Sequence, residues 1–219
     1  MLRLLFEKKG KSVWISHLDL MRVFQRAFKR AGLPLTHTQG FNPRPSVSIA
    51  LPLSVGVSSN CELLDFALSD ESYSCDEIME RLNACLVEGV KVLQVYTDGR
   101  KIRDLTLLKC NVTLEYDNGV PTNADTAIAD LFQREKLLVS KKTKSGIVDQ
   151  DIIPMIRNLS VSKISSNLLL MDAVICCQNP TLNPAQLAAA VSLYLPEIAP
   201  DFSRCHRVEI YDTNNTVFR

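Results

Sequence analysis

The first hundred residues alternate between strand-like and helix-like spacings of apolar positions. Short apolar runs predict strands, and apolar residues three and four positions apart predict two helices. The predicted elements, in order, are a strand at Leu2 to Lys8 that Ser12 to Ile15 extends or returns, a helix after Ser16, strands at Val47 to Leu51 and Glu62 to Leu68, a helix at Cys75 to Leu86, and a strand at Val90 to Tyr96. This βαββαβ order is typical of a ferredoxin-like half, in which two helices cover one face of an antiparallel sheet.

The first predicted helix has clear start and stop signals. Ser16 is the predicted N-cap, and Asp19 follows three residues later as an acidic version of the capping box. Gly32 ends the helix. The predicted buried side consists of Leu20, Phe24, Ala27, Phe28 and Ala31.

A similar order begins again after the polar joint at residues 98–101, although no residue-level repeat is visible. The predicted elements are a strand at Leu105 to Tyr116, a helix at Asn123 to Arg134, a strand at Lys136 to Lys142, an optional short helix at Asp151 to Arg157, a strand at Asn167 to Cys176, a helix at Pro184 to Leu195, and a strand at Arg207 to Tyr211. We therefore predict an α+β protein of two tandem ferredoxin-like halves with antiparallel sheets, residues 1–98 and 104–219.

Composition narrows the class of protein. Apolar residues make up 46% and charged residues 22% of 219 residues, which is ordinary globular usage. We expect a cytoplasmic protein without membrane contact, because no run approaches the roughly 18 apolar residues of a membrane helix and the N-terminus lacks a signal-peptide core. The seven cysteines are scattered and form no Cys-x-x-Cys pair, so we expect no disulfide scaffold, no metal and no cofactor.

The net charge of +1 conceals an asymmetry along the chain. Residues 1–60 carry nine Lys or Arg against two Asp or Glu, a balance of +7, whereas the remainder carries 16 against 22, a balance of −6. Segregated charge of this kind indicates a basic face for a polyanion. The alternative is a solvated helix whose cations pair with acids from elsewhere in the chain.

Four cations of the first helix form what we call the basic row: Arg22, Arg26, Lys29 and Arg30. Their spacing of i, i+4, i+7 and i+8 places them within about one third of the helix circumference, opposite the apolar side. No acid lies between Met21 and Leu35 to neutralise them. The row is therefore a candidate phosphate-binding surface, although any solvated helix face can tolerate such repulsion.

The segment that follows, Thr36 to Pro45, combines turn formers with recognition chemistry. Gly40 permits unusual backbone angles, and two prolines stiffen the chain. An aromatic ring, a guanidinium and polar side chains are the ingredients of single-stranded RNA recognition. The candidate residues are Gln39, Gly40, Phe41, Asn42 and Arg44. For Phe41 the first expectation is nevertheless a core anchor that pins the loop.

A second basic cluster precedes Ser145-Gly146, where a hairpin is expected. It consists of Lys136, Lys141, Lys142 and Lys144. Lysines at a hairpin tip usually serve solvation, so they become relevant only if the two halves bring them beside the basic row.

Signals for catalysis are few. His17 at the helix start and His37 in the basic loop are the candidate general acids or bases. A histidine at such a position more often caps a helix or fills a surface gap. No triad spacing, phosphate-binding glycine loop or dinucleotide fingerprint occurs in the sequence.

Several runs of residues resemble a known family. They are Ile15 to Arg22, Arg26 to Pro34, Gly40 to Pro45, and Pro52-Leu53 with Gly56 and Ser59. They resemble the bacterial radical-SAM-linked protein family, a domain of unknown function, most specifically over about the first 68 residues. The resemblance implies a domain fused to, or encoded beside, a cobalamin-type radical SAM protein, in a genomic setting of RNA or ribosome biology. Arg44 departs from the histidine expected in relatives, which weakens any proton-transfer role for the loop.

The resemblance sets the leading functional hypothesis. The chain lacks the Cys-x-x-x-Cys-x-x-Cys triad of a radical SAM enzyme, so we expect it not to start radical chemistry itself. We expect an accessory RNA-binding or substrate-presenting protein that works with a radical SAM protein in RNA or ribosome modification. The alternatives are a metal-independent ribonuclease using His17 or His37, and a protein-binding adaptor without RNA contact. The oligomeric state is not predicted.

Overall fold

The computed structural model describes residues 1–143 and 146–219. Contacts divide the chain into two compact units, one formed by Met1–Ile102 with Arg219 and the other by Arg103–Phe218. Each unit combines two α-helices with an antiparallel sheet. The predicted α+β class is therefore confirmed, whereas the tandem ferredoxin-like arrangement stays a prediction.

The first unit contains four strands and two helices in its described residues. They are β1 (Leu2–Lys8), α1 (His17–Arg30), β2 (Val47–Ile49), β3 (Ser58–Phe66), α2 (Cys75–Asn83) and β4 (Val90–Tyr96). The strands lie in the order β4-β1-β3-β2, and every neighbouring pair is antiparallel. Leu64 is paired with Leu4 on one side and Ile49 on the other, which centres β3 between β1 and β2.

The apolar side of α1 forms much of the core of this unit. Leu20, Phe24, Ala27 and Phe28 are fully buried, as their helical spacing predicts. The ring of Phe24 meets Phe6 of β1 edge-on at 4.8 Å between centroids, and Phe28 meets Phe66 of β3 at 4.9 Å. Because α1 lies on the sheet through these rings, its opposite side is directed to solvent.

The second unit contains six strands and two helices in its described residues. They are β5 (Leu107–Glu115), α3 (Ala124–Leu131), β6 (Leu138–Thr143), β7 (Gly146–Asp151), β8 (Ile156–Lys163), β9 (Leu168–Cys176), α4 (Ala185–Tyr194) and β10 (Phe202–Tyr211). Four of the strands pair in the antiparallel order β10-β5-β9-β8. The other two, β6 and β7, form a separate hairpin.

The middle of this unit differs from the predicted order of elements in two places. The strand predicted at Lys136 to Lys142 exists as β6, but its partner is β7. The place beside β9 belongs to β8, a strand that the sequence pattern does not predict. The optional helix at Asp151 to Arg157 is only a short 3-10 turn, Ile153–Met155. β8 is not predicted because its apolar alternation is weak. It pairs with one neighbour only, and most of its side chains are polar or exposed.

A hairpin is also predicted at the second basic cluster. The hairpin is present as β6 and β7, while Lys144 and Ser145 lie outside the described residues.

Within the described ranges, no helix is long and apolar enough to span a membrane.

Candidate functional site

The N-terminus of α1 is fixed by the residues that the sequence indicated. The Ser16 hydroxyl oxygen accepts a hydrogen bond from the Asp19 N–H at 3.2 Å and lies 2.7 Å from the Asp19 carboxylate, to which it donates. These bonds, together with the nearby Arg22 guanidinium, hold the pKa of Asp19 below its usual range. The helix therefore begins at His17. Because the start of the helix is fixed, the direction in which the basic row faces is fixed as well.

The four side chains of the basic row are exposed but do not share one environment. The Arg22 guanidinium pairs with the Asp19 carboxylate at 2.7 Å, and Arg30 donates to the carbonyl oxygen of Cys85 beyond the end of α2. Among the described residues, neither Arg26 nor Lys29 has an ion-pair partner within 4.0 Å. The expectation of an unneutralised row is thus wrong for Arg22, because its partner Asp19 lies just before the acid-free stretch from Met21 to Leu35.

The Asp19–Arg22 pair is a weak restraint on the row. Both side chains are more than half exposed, at 57% and 65% of their maximal area. Exposed ion pairs contribute little to stability because water and salt screen them. Arg22 can therefore exchange Asp19 for another anion.

A ladder of hydrogen bonds closes the segment that follows α1, which we call the 36–46 hairpin. Thr36 N–H donates to the Ala67 carbonyl at 2.8 Å, Ser46 N–H donates to the Thr36 carbonyl at 2.8 Å, and Thr38 N–H donates to the Arg44 carbonyl at 2.8 Å. The Thr38 hydroxyl oxygen accepts from Arg44 N–H at 3.0 Å. Backbone bonds thus hold the base of the hairpin to the sheet and leave residues 39–43 as its tip.

The tip of the 36–46 hairpin lies wholly at the surface. Phe41 is 100% exposed, so the expectation that it anchors the loop in the core is wrong. The ladder below the tip supplies the anchoring that a buried ring would otherwise provide. Gly40 takes a positive φ of 134°, which other residues rarely adopt. The remaining candidates Gln39, Asn42 and Arg44 are also exposed.

The basic row and the 36–46 hairpin meet at one depression. Gln25 and Lys29 of α1 line it together with His37 and Pro45 of the hairpin, around a volume of about 380 Å³. Lys29 is thus the member of the row that the structure brings to the hairpin. Arg30 turns away toward α2, as its bond to Cys85 shows.

The two candidate catalytic histidines lie in different settings. His17 is the first residue of α1 and is partly buried, and its Nδ1 atom has no hydrogen-bond partner in the described structure. His37 is exposed at the base of the 36–46 hairpin and lines the depression. In residues 1–143 and 146–219, no group of three or more His, Cys, Asp or Glu side chains is arranged to hold a metal ion.

The charge count of the first 60 residues overstates the surface charge. Arg3 is only 5% exposed and makes a two-pronged ion pair with Asp65, with nitrogen–oxygen distances of 2.6 and 3.0 Å. Lys8 is fully buried, and its ammonium donates to the carbonyl oxygens of Val13 at 3.1 Å and Ile15 at 2.8 Å. These two cations stabilise the fold and do not face a partner.

Sequence reasoning missed one conspicuous surface residue. Trp14 ends a 3-10 turn, Gly10–Trp14, directly before α1 and is 66% exposed. Leu18 in the first turn of α1 is 68% exposed. The apolar pattern predicts Trp14 in an extension of the first strand, where an apolar residue is unremarkable. The available signal was a lone tryptophan beside the lysine-rich turn.

Comparison with models of protein families identifies the family of the chain. Residues 1–184 match the family described as uncharacterized protein conserved in bacteria (DUF2344). The chain belongs to this family. The DUF2344 match includes the whole basic row, the 36–46 hairpin and Trp14, so the candidate surface lies inside the family's domain. The family description says nothing of a radical SAM partner. No curated protein matches the chain.

Comparison with solved structures found similarity to chains of two Cbf5–Nop10 complexes. A chain of a Cbf5–Nop10–Gar1 complex has 10% identity and a TM-score of 0.50, over 95% of the DUF2344 chain and 48% of its own length. A chain of the archaeal box H/ACA sRNP Nop10–Cbf5 complex has 8% identity and a TM-score of 0.45, over 94% and 46%. The DUF2344 chain thus spans about half the length of these solved chains. The likeness to the first of them concerns the fold alone.

Proposed function

We propose that this DUF2344 protein is an accessory RNA-binding or substrate-presenting protein that works with a radical SAM enzyme in RNA or ribosome modification. The proposal rests on one observation above all. The basic row, through Lys29, meets the 36–46 hairpin at the depression lined by Lys29 and His37. A polyanion that follows the basic row would therefore reach the hairpin without leaving the surface.

The electrostatics of this surface favour phosphate groups. Arg26, Lys29 and Arg44 are exposed, and none has an ion-pair partner in the described part of the chain. Guanidinium groups bind phosphates through paired hydrogen bonds, and each contact releases counterions. Two to four such contacts suit a short stretch of single-stranded RNA.

The hairpin tip adds a group that recognises bases rather than phosphates. Phe41 is fully exposed at the tip of the hairpin, whose base is closed by a hydrogen-bonded ladder. Aromatic side chains on basic surfaces stack with unpaired bases, largely without regard to sequence. Exposed polar neighbours at the tip, Gln39 and Asn42, supply donors and acceptors for base edges.

The radical SAM part of the proposal comes from the family resemblance. The chain has no cysteine triad for the iron–sulfur cluster of such an enzyme, so a separate protein or domain would supply the radical chemistry. The role left for this chain is to bind RNA and present it. The fold likeness to the Cbf5–Nop10–Gar1 chain is compatible with that role but transfers no function.

We also interpret each unit as a ferredoxin-like half. The orders β4-β1-β3-β2 and β10-β5-β9-β8 are the same when the strands of each unit are numbered along the chain, with β6 and β7 taken as an insertion. In each unit a helix follows the first strand, and a second helix precedes the last. This interpretation accounts for the similar order of elements despite the lack of a visible sequence repeat.

A salt-dependent titration tests RNA binding. Labelled single-stranded RNA is titrated with the wild-type protein and with the double variant Arg26→Ala/Lys29→Ala, from about 50 mM to about 200 mM salt. If both cations contact phosphates, the log-log slope of the double variant should be shallower by up to about 1.4, at about 0.7 per contact. The matched control is Lys91→Ala/Lys163→Ala, which removes two exposed lysines elsewhere and should leave the slope unchanged.

Other outcomes separate the alternatives. Absence of RNA binding at low salt rejects the proposal. Retention of a protein partner that survives nuclease treatment, without RNA binding, favours the adaptor. RNA cleavage in the presence of a chelator that is lost in His17→Ala or His37→Ala favours the ribonuclease. A pull-down with and without nuclease, followed by identification of retained proteins, tests the radical SAM partnership.

A further inference from the structure

Trp14 is held at the surface in a position that packing does not explain. It is the only tryptophan of the chain, and two thirds of its surface remains exposed. Burying such a ring would contribute more apolar contact than almost any other side chain. Leu18, four residues later, is 68% exposed, and Val55, next to the Gly56 whose N–H donates to the Val13 carbonyl, is 53% exposed. The N-terminal end of α1 thus presents an uncovered apolar spot beside the basic row.

Hydrogen bonds hold the backbone on both sides of Trp14. The buried Lys8 ammonium donates to the carbonyls on both sides of it, those of Val13 and Ile15. The Val13 carbonyl also accepts from Gly56 N–H at 2.8 Å. Burying an ammonium is costly unless hydrogen bonds compensate it. Here that buried charge fixes the turn beneath an exposed aromatic ring, so the ring is presented in advance of any partner.

A second set of contacts holds the Gly10–Trp14 turn in place. The buried Ser12 hydroxyl oxygen lies 2.7 Å from the Lys9 carbonyl oxygen and 2.8 Å from the Gly89 carbonyl oxygen. Gly89 has a φ of +83°, and a Cβ added there would lie 2.3 Å from the Lys9 carbonyl oxygen. Close packing of this kind leaves the turn little freedom to bury the ring elsewhere.

The surroundings of the spot are cationic. Leu18, Arg22, Gln25 and Lys29 lie at i, i+4, i+7 and i+11, which makes one stripe along α1 about 16 Å long. Lys11 is exposed on the turn itself. The acids of this region, Glu7 and Asp19, each pair with a cation, Lys9 and Arg22. The stripe therefore leads from the exposed Leu18, past Arg22 in its solvent-exposed pair with Asp19, to Lys29 at the depression.

We infer that Trp14 is a stacking platform for an unpaired base of single-stranded nucleic acid whose phosphates follow the basic row. This inference rests on the proposed function and adds a second base-binding position, at the end of α1 opposite to the 36–46 hairpin. An aromatic face flanked by cations is the combination that single-strand-binding proteins use. A protein partner would need a larger continuous apolar area than these three side chains provide.

The single tryptophan allows a direct test. The full-length protein is titrated with a short oligouridylate while Trp14 fluorescence is recorded, and inorganic polyphosphate serves as a polyanion without bases. Stacking should quench the fluorescence with the same midpoint as binding measured by anisotropy of labelled RNA. Polyphosphate should bind without comparable quenching. Trp14→Ala should weaken RNA binding at least about fivefold, whereas Trp14→Phe, which keeps an aromatic face, should lose less.

Controls keep the test decisive. Phe202→Ala removes an exposed aromatic ring from the second unit and should not change RNA affinity. Thermal unfolding of each variant shows whether it folds. If RNA binds with the expected salt dependence but Trp14 is not quenched and Trp14→Ala binds like wild type, the inference is overturned and the proposed function stands. If no RNA binds at low salt, the proposed function fails. If Trp14→Ala loses a protein partner but keeps RNA, Trp14 is a protein-docking residue and the inference is overturned.

Discussion

Removing the acid that pairs with Arg22 should strengthen RNA binding. Asp19→Asn keeps the size of the side chain at the first turn of α1 but frees the Arg22 guanidinium, which now lies 2.7 Å from the Asp19 carboxylate. A freed Arg22 can contact a phosphate without first giving up an anion. Most surface substitutions weaken binding or leave it unchanged, so a gain is a demanding prediction.

The magnitude follows from counterion release. One additional phosphate contact on single-stranded RNA should steepen the log-log dependence of affinity on salt by about 0.7. Between about 50 and about 200 mM salt, a fourfold change, that slope multiplies the loss of affinity by about 2.6. Asp19→Asn should therefore bind more tightly than wild type at low salt and lose more of its affinity as salt rises.

The chain offers a closely matched control. Glu77 occupies the same position in α2 as Asp19 in α1: its N–H donates to the N-cap Ser74 at 3.2 Å, and its carboxylate pairs with Arg81 at 2.7 Å. Glu77→Gln therefore changes the net charge by the same amount and disturbs an equivalent helix start. It should leave the salt slope unchanged, because Arg81 lies outside the basic row.

The assay is anisotropy of labelled RNA over a salt series for wild type and the two variants. A steeper slope for Asp19→Asn alone agrees with a role for Arg22 in phosphate binding. Equal gains in both variants would indicate a general effect of net charge. No change in either would remove Arg22 from the proposed surface.

Two further predictions concern stability. Lys8→Met should lower the free energy of unfolding by about 2 kcal/mol or more in urea titrations, because two carbonyl acceptors lose a charged donor; a loss below about 0.5 kcal/mol would contradict the role given to the buried ammonium. Burial raises the pKa of Cys110 to about 12 and of Cys205 to about 11, whereas an unfolded thiol ionises near 8.5. Between these values only the unfolded state releases the protons, so stability should fall as pH rises above about 8.5. The Cys110→Ala/Cys205→Ala variant should show a smaller fall in urea titrations at pH 8 and pH 10, and an unchanged pH dependence would refute this account.

Signals between residues close in sequence account for the features of the first unit that were predicted correctly. The start of α1 depends on Ser16 and Asp19, and its buried side depends on residues three and four apart, so both are encoded within one helix. The antiparallel pairing of the first unit follows from the order of its elements. The exposure of the basic row follows from the same helical spacing, because cations opposite a buried stripe must face solvent.

The remaining features depend on contacts that a linear pattern does not contain. Phe41 was expected in the core because a lone aromatic usually is, but the hydrogen-bonded ladder of the 36–46 hairpin makes a buried ring unnecessary. The turn that carries Trp14 is hydrogen-bonded by a lysine six residues earlier, whose burial the linear pattern does not show. The place of β8 depends on pairing with a strand that follows it in the sequence.

Photo-crosslinking of bound RNA tests the central claim most directly. Irradiation of the complex with single-stranded RNA, followed by mass spectrometry of the peptides, identifies the residues in contact. The account predicts crosslinks in the peptides that carry Trp14, the basic row and the tip of the 36–46 hairpin. Crosslinks confined to the second unit, or to the sheet strands of the first, would contradict it.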